Sequence, residues 1–485
     1  MEKTMPDTEL MAKQGSASEL TPAQQTFVDG ITSKVGTLLD GQLPGTFQMV
    51  AYPPGFHPAV QFGASAYYNS TMLDAFNGTL EIGTNGMLTL GNQQFSTLYY
   101  NILTNATYQY STADQKVVND PNIANQQISV VNTATSSGFV AAYAVTPVSY
   151  PTVMAAVLKN FSADATDWST SNISAAASKL PNAGFASLGQ AIASAVQLLS
   201  PLNTILGAQS AANAELAAAM ANTQKPTAAN GGLPISATDY YVGWTPMPAN
   251  AQIQGGLQGG SKVSIQVEAS NFSSTSASLS INGKTGFSIP ILDVIDIGIS
   301  ASSSYDWSKT TTSSSSLDMT IEYPGVTIVQ IDPLPLSADY AKGWYDQSLL
   351  QSIISGSGNA DVSGFKIDPS NQYAVDKMFG KGKAFSRLKT LVVSQAPTIT
   401  MVFSADQANS VTSSFKENAS VDVKLFGLFS VGSFDESYSV DKVHTDTASG
   451  TVTVTFAPPE IKGTVPPEQQ VCTVLGGVAD YPPPS

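Results

Sequence analysis

Arginine is nearly missing from this chain: of 485 residues only Arg387 is one. Charged residues make up 12% of the sequence, roughly half the usual share. Acidic residues outnumber basic ones, 36 to 21, for a net charge of −15. A nucleic-acid binder needs a basic, usually arginine-bearing face, so nucleic acid is not expected as a partner. Cysteine is represented by Cys472 alone, so no disulfide braces a single copy. Two histidines, His57 and His444, leave little for histidine catalysis or histidine metal ligation. His57 lies between prolines in PPGFHPAV and reads as a loop or packing residue; His444 reads as a solvated strand or turn residue. There is no G-x-S-x-G elbow, Walker loop, H-E-x-x-H, C-x-x-C or EF-hand loop. The expectation is a non-enzymatic chain without cofactor or metal. The acidic pairs Asp293/Asp296 and Asp435/Glu436 are where a calcium ion would be sought, with turn roles the simpler reading. The first residues lack a basic start followed by an apolar run, so export, if it occurs, is expected by a route other than Sec, with action outside the cell.

Long apolar runs are equally scarce. The stretch 138–158 has spanning length and no charge, but Pro147 and Pro151 interrupt it. Between Lys179 and Glu215, Ile192, Val196 and Leu199 mark one face of an amphipathic helix that breaks near Pro201 and resumes toward AANAELAAAM. It reads as a packed bundle helix or as a segment meeting a membrane or a neighbouring subunit. Near the start, Thr21 is placed as an N-cap with Pro22 at the first helical position. Phe27, Ile31, Val35, Leu38 and Leu39 form a stripe that Gly41 and Pro44 end. YYNSTMLDAFNGTLEI and FSTLYYNILTNATYQY also carry helical spacing. The first half therefore reads as mainly helical, and KPTAANGGLP, 225–234, as a linker.

The second half is duplicated. LPISATDYYVGW, 233–244, is echoed by LPLSADYAKGW, 334–344. The repeat-defining pairs are Asp239 with Asp339, Tyr240 with Tyr340, Gly243 with Gly343, and Trp244 with Trp344. The tryptophans are read as core residues or as stacking surfaces for a sugar. A second match follows in order, between 262–281 and the segment from 397. Within each unit the period is two. Val263, Ile265, Val267 and Ala269 alternate with Ser264, Gln266 and Glu268; Ile399, Met401 and Phe403 do the same in the second copy. The returning legs show Leu317, Met319, Ile321 and Val452, Val454, Phe456. If unbroken, the leg 262–282 would reach about 65–70 Å; a turn near Ser273–Ser276 would make it two strands.

The expected fold class is α+β: a mainly helical domain over 1–225, β repeat 1 over 226–333 and β repeat 2 over 334–468, with an insertion at about 345–395 and a Pro-rich tail over 469–485. The β region is antiparallel with long hairpins. At the centre of each hairpin the sequence is apolar, GFSIPILDVIDIGIS and VDVKLFGLFSVGSF. Phe287, Ile289, Ile291, Leu292, Leu425, Phe426, Leu428 and Phe429 are the candidate membrane or partner contacts. As core they would be ordinary sandwich residues; exposed, they would be functional patches.

Two Ser/Thr-rich alternating legs flanking an apolar tip resemble the inserting hairpins of aerolysin-type β-pore-forming proteins. That resemblance covers 262–322 and 398–456 and is one of pattern; two hairpins per chain depart from the one-hairpin plan. It implies that several copies close one barrel, polar inside and apolar toward lipid. The expected function is a self-associating, membrane-active, pore-forming toxin-like subunit, a homo-oligomer that meets a membrane surface. The alternative is a structural or ligand-binding protein whose β repeats build an assembly surface.

Overall fold

The structure, a computed structural model, describes residues 20–50, 55–56, 60–62, 65–67, 76–82, 86–161, 165–247, 250–270, 277–289, 291–300, 303–304, 316–404, 411–412, 422–431, 439–446, 448–457 and 472–483. The chain is α+β and forms two compact units, each gathered from separate segments. One comprises 1–96, 232–333 and 380–482; the other 97–231, 334–379 and 483–485. The expected ranges run across this division. Residues 20–96 belong with the β repeats, and 334–379 belong with the helices.

The β-rich unit is built on strands that pass from one sheet into the next. After helix α1 (Pro22–Leu38), its elements are β1 (Trp244–Met247), β2 (Val263–Ser270), β3 (Ala277–Ile281), β4 (Lys284–Ile289), β5 (Ile295–Ser300), β6 (Ser316–Tyr323) and β7 (Thr327–Pro333). Then come β8 (Arg387–Gln395), β9 (Thr398–Phe403), β10 (Asp422–Leu425), β11 (Phe429–Val431), β12 (Ser439–Thr445), β13 (Val452–Ala457) and β14 (Cys472–Asp480). One sheet has the order β14-β8-β7-β1, with Gln48–Met49 and Gly55–Phe56 both on the outer side of β14. The seven-stranded sheet has the order β4-β3-β2-β6-β9-β13-β12. The chain therefore gives β1 to the first sheet, β2, β3, β4 and β6 to the second and β7 back to the first, then repeats the course with β8, with β9, β12 and β13, and with β14.

The two inner ribbons run through both sheets in one register. β6 pairs β9 from Leu317↔Phe403 to Glu322↔Thr398, and β7 pairs β8 from Thr327↔Val393 to Gln330↔Thr390. Pro324 and Pro397 mark the bend because proline cannot donate to a ladder. The Gln395 amide donates to the Pro324 carbonyl across it, at 2.9 Å. Gly325 turns there at φ +67°; a side chain at that point would strike the backbone of Leu257. The paired ribbon 317–330 with 390–403 is about 45 Å long.

Parity decides the faces, as the alternation predicts. Val263, Ile265, Val267, Ala269, Leu317, Met319, Ile321, Ile399, Met401, Phe403, Val452, Val454 and Phe456 are all buried in one core with Phe27, Ile31 and Val35 of α1. The leg 262–282 is not one strand. β2 and β3 are antiparallel, with Val267 opposite Ile281 and Ser270 opposite Ser278. Two further expectations are corrected. Gly78–Ile82 is a strand paired with Leu88–Gln94, where TLEI has only one helical turn's worth of apolar spacing. Cys472–Asp480, placed in a Pro-rich tail, is a strand lying between β8 and Gln48–Met49. The prolines of the end begin only after it, and its VLGGV run reads as a strand buried on both faces.

Arg387 sits on β8 with its side chain 4% exposed, between Asp332 at 2.7 Å and Asp480 at 2.9 Å. Those carboxylates are 51% and 20% exposed, so the ion pair is lopsided. Taking away the arginine lets both acids resolvate, whereas neutralising the acids strands a buried cation. Asp332→Asn/Asp480→Asn is expected to cost about 3–5 kcal/mol and Arg387→Met distinctly less, read from urea midpoints of the full chain. Equal losses would refute that asymmetry.

The helical unit holds α2 (Pro121–Ser136), α3 (Tyr150–Phe161), α4 (Thr170–Lys179), α5 (Ala186–Ala195), α6 (Ser200–Gln224) and α7 (Gln347–Gly356). Its core gathers Val130, Phe139, Val153, Val157, Ile173, Leu188, Ile192 and Leu199. The interrupted run 138–158 thus packs as a short helix, Phe139–Tyr143, and the start of α3. A two-stranded ladder joins Thr107–Gln109 to Gly364–Lys366 in this unit.

Candidate membrane-inserting segments

Both repeats carry an insert at the same end of the seven-stranded sheet. β2 ends at Ser270 opposite Ser316, the start of β6. β9 ends at Phe403 opposite Val452, the start of β13. Segments 271–315 and 404–451 therefore leave and return side by side, since β6 and β9 are neighbours.

The two apolar tips meet each other. β5 pairs β10 through Ile295↔Leu425 and Asp296↔Lys424, and β10 pairs β11 through Leu425↔Phe429 and Val423↔Val431. With Ser303–Ser304 on the outer side of β5 this makes a four-stranded tip sheet. The hairpin turn places Phe426 at φ +52° and Gly427 at φ +62°. An aromatic residue in the left-handed region is strained, at a cost of about 1–3 kcal/mol, and such strain persists only where packing enforces it. Here α1 supplies the packing. Phe27 stacks on Phe426 with ring centroids 4.4 Å apart. The Gln24 amide donates to the Phe426 carbonyl at 2.7 Å. Gln24 is itself fixed by a capping box with Thr21.

Of the two readings left open for the tips, core or exposed patch, the described residues take the core one. Ile291, Leu425, Phe426 and Leu428 are buried, and Phe287 and Ile289 are half-buried against the same core. The physical reason is that α1 brings an apolar stripe to them, which tip sequences read in isolation do not disclose. The side chains of Leu292 and Phe429 lie outside what the structure describes. Glu268, Ser270, Ser278, Ser280 and Asp318, together with Phe287, line an open groove of about 500 Å³ with mixed polar and apolar walls.

The repeat-defining residues are turn and core residues. Ser236 donates to the Asp239 carboxylate at 2.8 Å, and Ser337 to Asp339 at 2.5 Å. That bond and the Ala341 amide hold the Asp339 carboxyl below the usual range. Trp244 is buried beside Phe76, and Trp344 beside Tyr99 and Tyr345, so neither presents a face to a sugar. Tyr340 and Gly343 turn at φ +60° and +76°, and a side chain at 343 would collide with the Pro335 carbonyl. Tyr240 begins a short ladder, Pro234↔Tyr240 and Leu233↔Tyr241, and Gly243 is buried beside Trp244. His444 is exposed on β12; His57, Asp435 and Glu436 lie outside the described residues. Among the described residues no group of three His, Cys, Asp or Glu side chains gathers as a metal site.

Sequence reading missed one pair in the helical unit. Glu215 of α6 is half-buried and hydrogen-bonded to Asp346, the N-cap of α7. Burial, then this bond and the neighbouring charge, push Glu215 up to about 7. At Asp346 burial works upward, but hydrogen bonds from Glu215, Ser348 and Leu349 outweigh it and the carboxyl is lowered. Glu215 thus stabilises the fold below its ordinary pKa and ceases to as pH rises through about 7; Asp346 stabilises it above its ordinary pKa and ceases to on acidification. The thermal midpoint of this unit is expected to fall between pH 5 and pH 8, and Glu215→Gln to flatten that fall; an unchanged slope would rule the pair out.

Among the described residues no single helix is long and apolar enough to cross a membrane; α5 and α6 pass together by length and composition but are bent by 103° and contribute to the helical core. Compared with known proteins, the chain matches no protein-family model, no curated protein and no solved structure.

Proposed function

We propose that this protein is a non-enzymatic, self-associating pore-forming subunit whose two inserts leave the sheet as membrane-spanning hairpins. The observation that carries this reading is the paired exit of both inserts from one end of four contiguous antiparallel strands, β2-β6-β9-β13. Continuing the β2–β6 register past Ser270↔Ser316 sets Phe287 opposite Ile299, Ile289 opposite Ile297 and Ile291 opposite Ile295. The same continuation puts Ser278, Ser280, Asn282, Lys284, Ser288 and Ser300 on the other face. One face suits lipid and the other a wet lumen, as a closed barrel requires. A barrel strand needs about 9–11 residues to cross, and each insert offers about twenty per leg. In the second insert β10 and β11 pair one residue out of the β9–β13 register, so a continuous hairpin there needs a one-residue bulge or a shift of the tip.

On this reading the structure is the stored form. β4 and β5 would leave their present partners, β3 and β10, and pair with each other; α1 would come off the tips. The test is dye release from phosphatidylcholine vesicles, with and without cholesterol or phosphatidylglycerol, by purified full-length protein. Release with stepwise single-channel conductance supports the proposal; no release from any composition overturns it. The burial of Ile291 and Phe426 favours the second reading, an assembly protein whose repeats are plain core. Rings or filaments formed without lipid, and without leakage, would decide for it.

A further inference from the structure

The edges of the four-strand core are covered by the inserts themselves. β3 belongs to the first insert and occupies the outer flank of β2, through Val267↔Ile281, Glu268↔Ser280, Ala269↔Leu279 and Ser270↔Ser278. β12 belongs to the second and occupies the outer flank of β13, through Lys442↔Thr455, Val443↔Val454, His444↔Thr453 and Thr445↔Val452. When a segment leaves to become a hairpin leg, it abandons a row of backbone donors and acceptors. Such an edge is a template for another strand.

We infer that the partner of both edges is a second copy of this chain, β2 of one copy pairing with β13 of the next; this deepens the pore-forming reading and rests on it. Three observations support it. The strands alternate in direction along β2-β6-β9-β13, so a neighbour's β2 laid beside β13 continues the antiparallel ladder. Both edge strands keep their apolar residues on one face, Val263, Ile265 and Val267 on β2 and Val452, Val454 and Phe456 on β13, so the oily face continues across the join. The contact is head-to-tail, the kind that closes into rings. Hairpin release and assembly are then one event. A stored copy keeps β2 and β13 covered, its sheet ending instead at β4 and β12, and a copy that has released its inserts opens both.

Cysteine pairs test this in a Cys472→Ser background. E268C/S280C pins β3 to β2, and H444C/T453C pins β12 to β13. D318C/V402C pins β6 to β9, a pairing that assembly keeps. Each is added to phosphatidylcholine/cholesterol/phosphatidylglycerol vesicles, oxidised or reduced, and the mass of the detergent-extracted species and dye release are both read. Oxidised E268C/S280C and H444C/T453C are expected to remain monomeric, with at least a tenfold loss of assembled protein that reductant restores; D318C/V402C should assemble in either state. Assembly of the oxidised edge-pinned variants to the size of their reduced forms would overturn the edge assignment while leaving pore formation standing. Reductant-dependent assembly without leakage from any variant would uphold the edges and sink the pore. Failure of the reduced proteins to assemble would overturn the edges outright.

Discussion

Phe426→Asp is expected to unfold the β-rich unit. Phe426 has no exposed surface and stacks on Phe27. Removing a buried aromatic side chain costs about 3–5 kcal/mol by itself. The carboxylate left behind would sit in the apolar core against the Phe27 ring. An unpaired buried charge adds several kcal/mol or takes up a proton instead. The sum rivals the whole stability of a typical domain, about 5–15 kcal/mol. Phe426→Leu keeps the site apolar and should cost roughly 1–2 kcal/mol. Circular dichroism and urea titration of the full chain distinguish them. A folded Phe426→Asp protein with the parent's midpoint would mean that the tip is not held in the core at all.

That contrast also marks where sequence reading succeeds and where it stops. The buried faces of β2, β6, β9 and β13 follow from strict alternation, because a strand's side chains can only point two ways. The cap at Thr21 is equally local. What alternation leaves open is whether an apolar tip finds a cover. Leu425 and Phe426 read alike as core or as exposed patch until Phe27, some four hundred residues earlier, is seen against them. The assignment of α1 to the β unit was illegible for the same reason: its stripe says that one face is buried, not under what. Arg387 carries no motif either; its burial between Asp332 and Asp480 is set by the register of three strands. The duplicated Asp-Tyr-x-x-Gly-Trp pattern did locate two turns with buried tryptophans, yet one leads into a strand and the other into α7, because the surroundings differ.

Phe27→Ala is expected to move two readouts in opposite directions. Phe27 is fully buried and anchors α1 on the tip, so the substitution should lower equilibrium stability by about 3–5 kcal/mol. If α1 leaves the tips when the hairpins insert, that loss falls on the stored state and not on the inserted one. A ligand or surface shifts an equilibrium only by its differential preference for the two states, and destabilising one state has the same effect. Three kcal/mol corresponds to roughly a hundredfold in the equilibrium constant. Dye release at fixed protein and lipid should therefore begin about ten- to a hundredfold sooner, the lower figure applying where lipid binding, not tip release, limits the rate. Ile173→Ala is the control: it opens a comparable cavity in the helical core and should lower stability without hastening leakage. Stability lost at both sites with release unchanged or slowed at both would show that α1 is core and nothing more. Release hastened only by Phe27→Ala would identify the stack on Phe426 as the contact that holds the hairpins back.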